Sequence, residues 1–383
     1  MAQSYPVERP SSQVHCVLIA DDLTGACDAA APFRRQGASA HVQLGFESRA
    51  EPYHDVLAFS TDSRDVTAIE VKNRLRKVAS HMQNLRPGII FKKIDSTLRG
   101  NPGEEISAAL EAFDCEAAVV APAFPDMGRD VREGYLHSNR DPGWQPIHVR
   151  TLLRAQGLHD CNHVAPGAIQ AALARGSRFV SLDATGNQDL ETIAQETLRC
   201  GRRVLWAGSA GLASALARAL FPGVAKQKAA PARQSAPVLF AIGSDHAVTT
   251  AQVVELCGRY PVRHLEGDSA SPESLVTALR SGQHTILTIG RNTTNLEHLA
   301  NLLRDSGQLL SALLLSGGDT ASLVCRAIAA QAIALQGEIV TGLPWGILEG
   351  GGFQQLPVAT KSGAFGASNA LIEVADFFSC QTP

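Results

Sequence analysis

Two adjacent carboxylates, Asp21 and Asp22, end an apolar run and are followed at once by Thr24 and Gly25 in the stretch ADDLTGACDAA, residues 20–30. Consecutive strand residues point to opposite faces, so the pair divides its labour: one acts as a base or metal ligand, and the other caps a helix or orients a neighbour. A lone aspartate at such a place is ordinarily an N-cap, and it is the doublet that brings chemistry into view. In STDSRD, residues 60–65, Arg64 offers a guanidinium fork that grips a small carboxylate in two-pronged fashion. A turn closed by Asp62 and Ser63 accounts for the rest of that motif. The stretch FKKIDSTLRGNPGEE, residues 91–105, is more specific. Period two puts Lys93 and Asp95 on one strand face, and Ser96, Thr97, Arg99, Gly100 and Asn101 then form a turn before a helix opened by Pro102 and Glu104. Cations, hydroxyls and helix-start amides make an anion site, and a lysine on a buried strand requires a partner or a ligand. The Pro- and Gly-punctuated PAFPDMGRDVREGY, residues 122–135, reads as a surface loop with Arg129 and Arg132 available to a negative ligand.

The second half of the chain carries three glycine-containing strand ends. AIGSDHA holds Gly243 and Ser244, LSGGDTA holds Gly317, Gly318, Asp319 and Thr320, and TKSGAFG holds Lys361, Ser362, Gly363 and Gly366. Glycine admits a ligand close to the backbone, and free amides at a helix start favour phosphate. Neither GxxxxGK[ST] nor GxGxxG occurs, so the three loops together suit a nucleotide held across several strand ends.

Loops of this kind work only if a sheet gathers them on one edge. The runs VHCVLIA, DVLAFST, GIIFKKI, AAVVAPAF and SRFVSLDA lack polar alternation over most of their length, as strands covered on both faces do. Val71, Leu75, Val78, Met82 and Leu85 form one helical stripe between two of them, which makes the crossover helical and the strands parallel. A second strand series runs through VLFAIGS, HTILTIG, ALLLSGGDTA and LPVATKSGAFG. The predicted fold is α/β, with two domains, each a mainly parallel sheet flanked by helices, and the active site in the cleft between them. Residues 1–223 form the first domain, the aperiodic 224–236 a linker, and 237–383 the second domain.

A length of 383 residues suits two cores, and 45% hydrophobic against 19% charged residues excludes a disordered chain. A net charge of −3 provides no global field for nucleic acid. The absence of an 18-residue apolar run or a leader-like start favours the cytoplasm and no membrane partner. Eight dispersed cysteines without a CxxC pair read as reduced, and clustered metal ligands are missing.

Taken in order, ADDLTGACDAA, TDSR, KKIDSTLRGN, PAFPDMGRD, GSAGLA, SGGDTA and KSGAFG resemble the four-carbon acid sugar kinase family, from about Cys16 to about Gly366. The resemblance implies ATP-dependent phosphorylation of the C4 hydroxyl of an acid such as D-threonate, D-erythronate or a 3-oxo-tetronate. It implies that the first domain binds the acid, through Asp21 or Asp22, Arg64 and the Lys93–Ser96 stretch with Asp95. It further implies that ATP meets Ser244, Gly317, Gly318, Asp319, Thr320 and Gly363, with Lys361 and Gly366 in the same loop. Three departures from the family pattern, GRD for a GRT-like sequence, SGGDTA for SGGE and KSGAFG for KSGNFG, leave the acid open. Phosphoryl transfer rests on positioning, charge neutralisation and a base. Accordingly Asp22 is assigned as base with Asp21 as the alternative, Arg64 and Lys93 to the substrate carboxylate, Arg99 to substrate or transferring phosphate, and Mg2+ to the ATP oxygens with help from Asp319. The Mg2+ ligands and the state of any homo-oligomer are left open. A metal-dependent phosphatase or a non-catalytic sensor for sugar acid and ATP are the competing classes.

Overall fold

The computed structural model describes residues 14–45, 54–82, 85–140, 143–223, 236–290 and 295–379. The expected linker therefore lies, apart from Ala236, outside the described residues. The first half contributes β1 (Cys16–Ala20), β2 (Ala40–Gln43), β3 (Val56–Ser60), β4 (Ile89–Lys93), β5 (Ala117–Ala121), β6 (Arg129–Arg132), β7 (Tyr135–Ser138), β8 (Ile147–His148), β9 (Cys161–Val164), β10 (Phe179–Leu182) and β11 (Val204–Gly208). The second half adds β12 (Val238–Ile242), β13 (Val262–Glu266), β14 (His284–Thr288), β15 (Ala312–Ser316), β16 (Ala332–Glu338), β17 (Pro344–Glu349) and β18 (Pro357–Lys361).

The five apolar runs of the first half are β1, β3, β4, β5 and β10. Their interiors are almost wholly buried because helices cover both faces. Between β3 and β4 the helix Ala68–Met82 buries Val71, Leu75, Val78 and Met82, while Leu85 lies beyond its end. Each such side chain contributes roughly 1.5–3 kcal/mol when removed from water.

In the first half the parallel order is β2-β3-β1-β4-β11-β5-β10-β9, and in the second it is β13-β14-β12-β15-β18, followed by antiparallel β17 and β16. The chain reverses direction across the sheet between β1 and β4, and again between β12 and β15. Crevices open at such switch points, beyond the carboxyl ends of the strands. The loops after β1, β4, β12 and β15 are those singled out in the sequence.

Two features depart from expectation. The half-sheets are not separate: β16 pairs antiparallel with β2, with Ala332 opposite Gln43, Ile333 opposite Val42 and Ala334 opposite His41, giving one continuous sheet. The stretch after β5 is not a plain surface loop, because β6 and β7 form a hairpin turning at Glu133 and Gly134, both with positive φ. That hairpin buries Arg129, whereas Arg132 is exposed against Asp130.

Candidate active site

The helix Leu23–Arg35 begins at Asp22, whose Oδ1 accepts the Gly25 amide at 2.5 Å and the Thr24 hydroxyl at 3.0 Å. Its Oδ2 lies 2.6 Å from Arg64 Nη1. Asp22 therefore caps the helix and faces the cleft with one side chain, and it falls to Asp21 to orient a neighbour, Arg64. Asp21 is buried and holds Arg64 Nε at 2.7 Å. Burial opposes its ionisation, but Arg64, Lys92 and Lys93 outweigh this and hold the carboxyl below its usual range.

Asp95 faces the same guanidinium, 3.7 Å from Arg64 Nη2, and also binds Arg99 Nη2 at 2.7 Å and the Thr97 amide at 2.8 Å. Burial is again overcome, here by Arg99 and then Arg64, and the carboxyl is held well below the ordinary range. The fork of Arg64, expected to grip a substrate carboxylate, is thus occupied by Asp21, Asp22 and Asp95. It acts as the clamp of a carboxylate cluster.

Strand alternation separates the two lysines of β4. Lys92 points into the core and pairs with Glu105 at 2.9 Å, and Glu105 also accepts from the Ser63 hydroxyl. Lys93, on the other face, is 5% exposed and makes no ion pair among the described residues. Its ammonium would lie 3.5 Å from a Cβ placed on Gly25. Its charge acts on the carboxylates of Asp21 and Asp28.

Asp28, one turn and a half along the same helix, was not anticipated; a charged residue amid Ala26–Ala31 was the available signal. Burial pushes its carboxyl up to about 7, with Lys93 and Arg129 opposing and Glu338 and Asp22 reinforcing the rise. A raised carboxyl leaves stability untouched below the unfolded value near pH 4. It lowers stability as the pH climbs to 7, by on the order of 4 kcal/mol in full. Asp28→Asn removes that cost, so its gain in Tm over the parent is expected to be near zero at pH 4.5 and largest at pH 8. A pH-independent difference would show that the native carboxyl is not held neutral.

On the opposite wall, β15 is followed by Gly317, whose φ of +104° turns the chain into the helix Gly318–Ala327. Gly318 packs so closely on the first half that a Cβ there would lie 2.7 Å from Asp22 Cγ. Ser244 follows β12, and Ser362, Gly363 and Ala364 follow β18. A cavity of about 480 Å3 lies between the walls. Asp22, Arg64 and Arg99 line it from the first half, and Ser244, Gly317, Gly318, Asp319, Thr320 and Gly363 from the second.

Six expected residues stand elsewhere, the first of them Lys93, buried beside Gly25 and not part of the cavity lining. Asp21 and Asp95 lie behind the wall as partners of Arg64, and Ser96 accepts a hydrogen bond from Arg129 Nη1 at 2.8 Å. Lys361 is fully buried and donates to Thr249 Oγ1 and to the carbonyls of Ser362, Gly363 and Phe365 at 2.9–3.3 Å. It braces the loop and does not reach the cavity. Gly366 borders a separate cavity of about 400 Å3. Asp65, His246, Gly290 and Arg326 line the main cavity without having been singled out. Gly290, at the end of HTILTIG, carries the same strand-end glycine signal as the other three loops.

A carboxylate on one wall, set against amide-rich strand ends on the other, is the layout of a small-molecule phosphotransferase built from two units. Matches to family models agree with it: residues 16–216 match a sugar-binding N-terminal domain and 269–371 a nucleotide-binding C-terminal domain. The chain is 32% identical to a D-threonate kinase of Bordetella bronchiseptica, over 94% of this chain and 96% of that one. It is 33% identical to a D-threonate kinase of Cupriavidus necator, over 93% and 96%, and 30% identical to a D-erythronate kinase of Heliobacterium modesticaldum, over 94% and 96%. A solved structure from Salmonella typhimurium shares the fold, with a TM-score of 0.72, 22% identity, and coverage of 94% of this chain and 98% of that one. The chain belongs to the four-carbon acid sugar kinase family, and it is a sugar-acid kinase. Among the described residues, no helix is long and apolar enough to cross a membrane.

Proposed function

We propose that this kinase transfers the γ-phosphoryl group of ATP to the C4 hydroxyl of D-threonate or D-erythronate, with the acid held by residues 1–223 and the nucleotide by 237–383. The observation that carries this reading is the direct packing of Asp22 against the helix start at Gly318, which sets a proton acceptor beside a phosphate-suited terminus. In this assignment Asp22 accepts the hydroxyl proton while Arg64 fixes its carboxylate. Lys93 meets the carboxylate of the acid, with Ser96 and Asp95 shaping the turn beside it. Arg99, half-exposed at the cavity rim, meets the substrate or the transferring phosphate. Ser244, Gly317 to Thr320 and Gly363 cradle the nucleotide phosphates.

Among the described residues no cluster of three or more His, Cys, Asp or Glu is arranged to hold a metal. Mg2+ does not require one, since it binds through one or two carboxylates plus phosphate oxygens and water. The oxygen donors here fit it. Burial, then the negative charges of Asp22, Asp65 and Asp62, push the Asp319 carboxyl up, a strain that a divalent cation relieves. Asp319 would hold Mg2+, which would neutralise charge on the phosphate oxygens.

The 3-oxo-tetronate kinases among the relatives are 26–27% identical to this chain, below the 30–33% of the D-threonate and D-erythronate kinases, which favours the latter acids. ADP release should be measured with D-threonate, D-erythronate, L-threonate and 3-oxo-tetronate. Turnover is expected with one of the first two, and activity on hexonates with none on the four would overturn the four-carbon assignment.

A further inference from the structure

Arg129 touches both halves of the site. Its Nη1 donates to Ser96 Oγ at 2.8 Å, on the turn that follows β4, and its guanidinium carbon lies 5.7 Å from the centre of the Phe365 ring. Phe365 belongs to the turn after β18: its amide donates to Ser362 O at 3.0 Å, so seating the ring seats Ser362 to Ala364, which line the cavity. The ring also meets Phe124 edge-on at 6.1 Å within a small apolar cluster with Met127 and Ala210, all three from the first half. The Arg129 backbone is tied to Phe124 in both directions, at 2.8 and 3.1 Å. The cation is therefore fixed on the first half while its two ends bear on loops from different halves.

We propose that Arg129 is a positioning residue that couples the Ser96 turn to the Ser362–Phe365 loop, so that order at one wall of the cavity is transmitted to the other. What each wall binds rests on the function proposed above, but the coupling itself does not. A planar guanidinium suits this task, because one edge donates to a hydroxyl while the face stacks on an aromatic ring.

The test is hydrogen exchange on the full-length, ligand-free enzyme, following residues 95–101 and 362–366. Ser96→Ala is expected to speed exchange in the distant 362–366 segment, and Phe365→Leu in 95–101. Arg129→Met is expected to speed both by about tenfold, as loss of a partly buried cation–π contact implies, and to abolish the cross-effects of the other two substitutions. Arg129→Lys, which keeps the charge but not the plane, should restore the hydrogen-bonded side more than the stacked side. Purely local effects of Ser96→Ala and Phe365→Leu would overturn the proposal, and these two variants decide it even if Arg129→Met does not fold. In a second arm, Arg129→Met is expected to weaken binding of a non-hydrolysable ATP analogue and to raise KM for the acid together. A rise in acid KM alone would make Arg129 a direct acid contact and refute the coupling. Failure of the parent enzyme to bind the analogue would instead count against the nucleotide assignment, leaving the exchange result to judge the coupling.

Discussion

Asp22→Asn is expected to cut turnover by about three orders of magnitude while leaving affinity for a non-hydrolysable ATP analogue within about threefold. Asparagine keeps an oxygen for the Gly25 amide and the Thr24 hydroxyl, so the cap of the helix Leu23–Arg35 persists. What disappears is the charge facing Arg64 and the capacity to take a proton. Arg64 still has Asp21 and Asp95, so it is not stranded. Asp21→Asn makes the contrast: Asp21 is fully enclosed, and breaking a buried pair from one side costs about 3–5 kcal/mol, so its main effect should be on Tm. Single-turnover rates and melting curves on the two variants separate the roles. A near-normal rate for Asp22→Asn would remove it as the base.

Gly318→Ala is expected to lower kcat by about a hundredfold, although alanine favours a helix more than glycine does. The added methyl would stand 2.7 Å from Asp22 Cβ and Cγ and 2.8 Å from its Oδ2. Neither side can yield cheaply, because Asp22 is pinned as a cap and by Arg64, while Gly318 sits on backbone. The walls must part, and a displacement approaching 1 Å between reacting groups costs a rate factor of about 10². Melting temperature should change little, since the clash is relieved by separating the walls rather than by unfolding. An unchanged kcat would show that the proximity of Asp22 to this helix start has no part in the reaction.

Much of this arrangement is legible in the chain because burial on both faces leaves an unmistakable record. β1, β3, β4, β5, β10, β12, β14, β15 and β18 are the apolar runs, and the stripe from Val71 to Met82 is the helix between two of them. β2 and β16 are not legible, since AHVQ and AIALQGE mix polar and apolar residues in strands that lie where the halves meet. Residue types were read more safely than their partners. Arg64 stands at the site as its position implied, but a sequence cannot show that three carboxylates converge on one fork. Lys361 precedes a glycine loop, as a phosphate-binding lysine would, yet its loop's own carbonyls fold back onto the ammonium. Arg129 reads as a loop residue because the two-residue turn at Glu133 and Gly134 needs positive φ at a glutamate, which composition does not announce.

The antiparallel join of β16 to β2 decides how the two sets of site loops come to face each other. Across it, the strands of the first half run opposite to β12, β15 and β18, so a flat sheet would place the two sets of site loops on opposite edges. From β15 to β1 there are six steps, roughly 29 Å of sheet at the usual spacing. A twist of roughly 20–25° per step accumulates to roughly 120–150°, enough to swing the opposed edges towards the same side. The active site is thus assembled by torsion of a single hydrogen-bonded ribbon. That torsion passes from one half to the other through the three-pair seam of Gln43, Val42 and His41, far along the chain from Asp22 and Gly318.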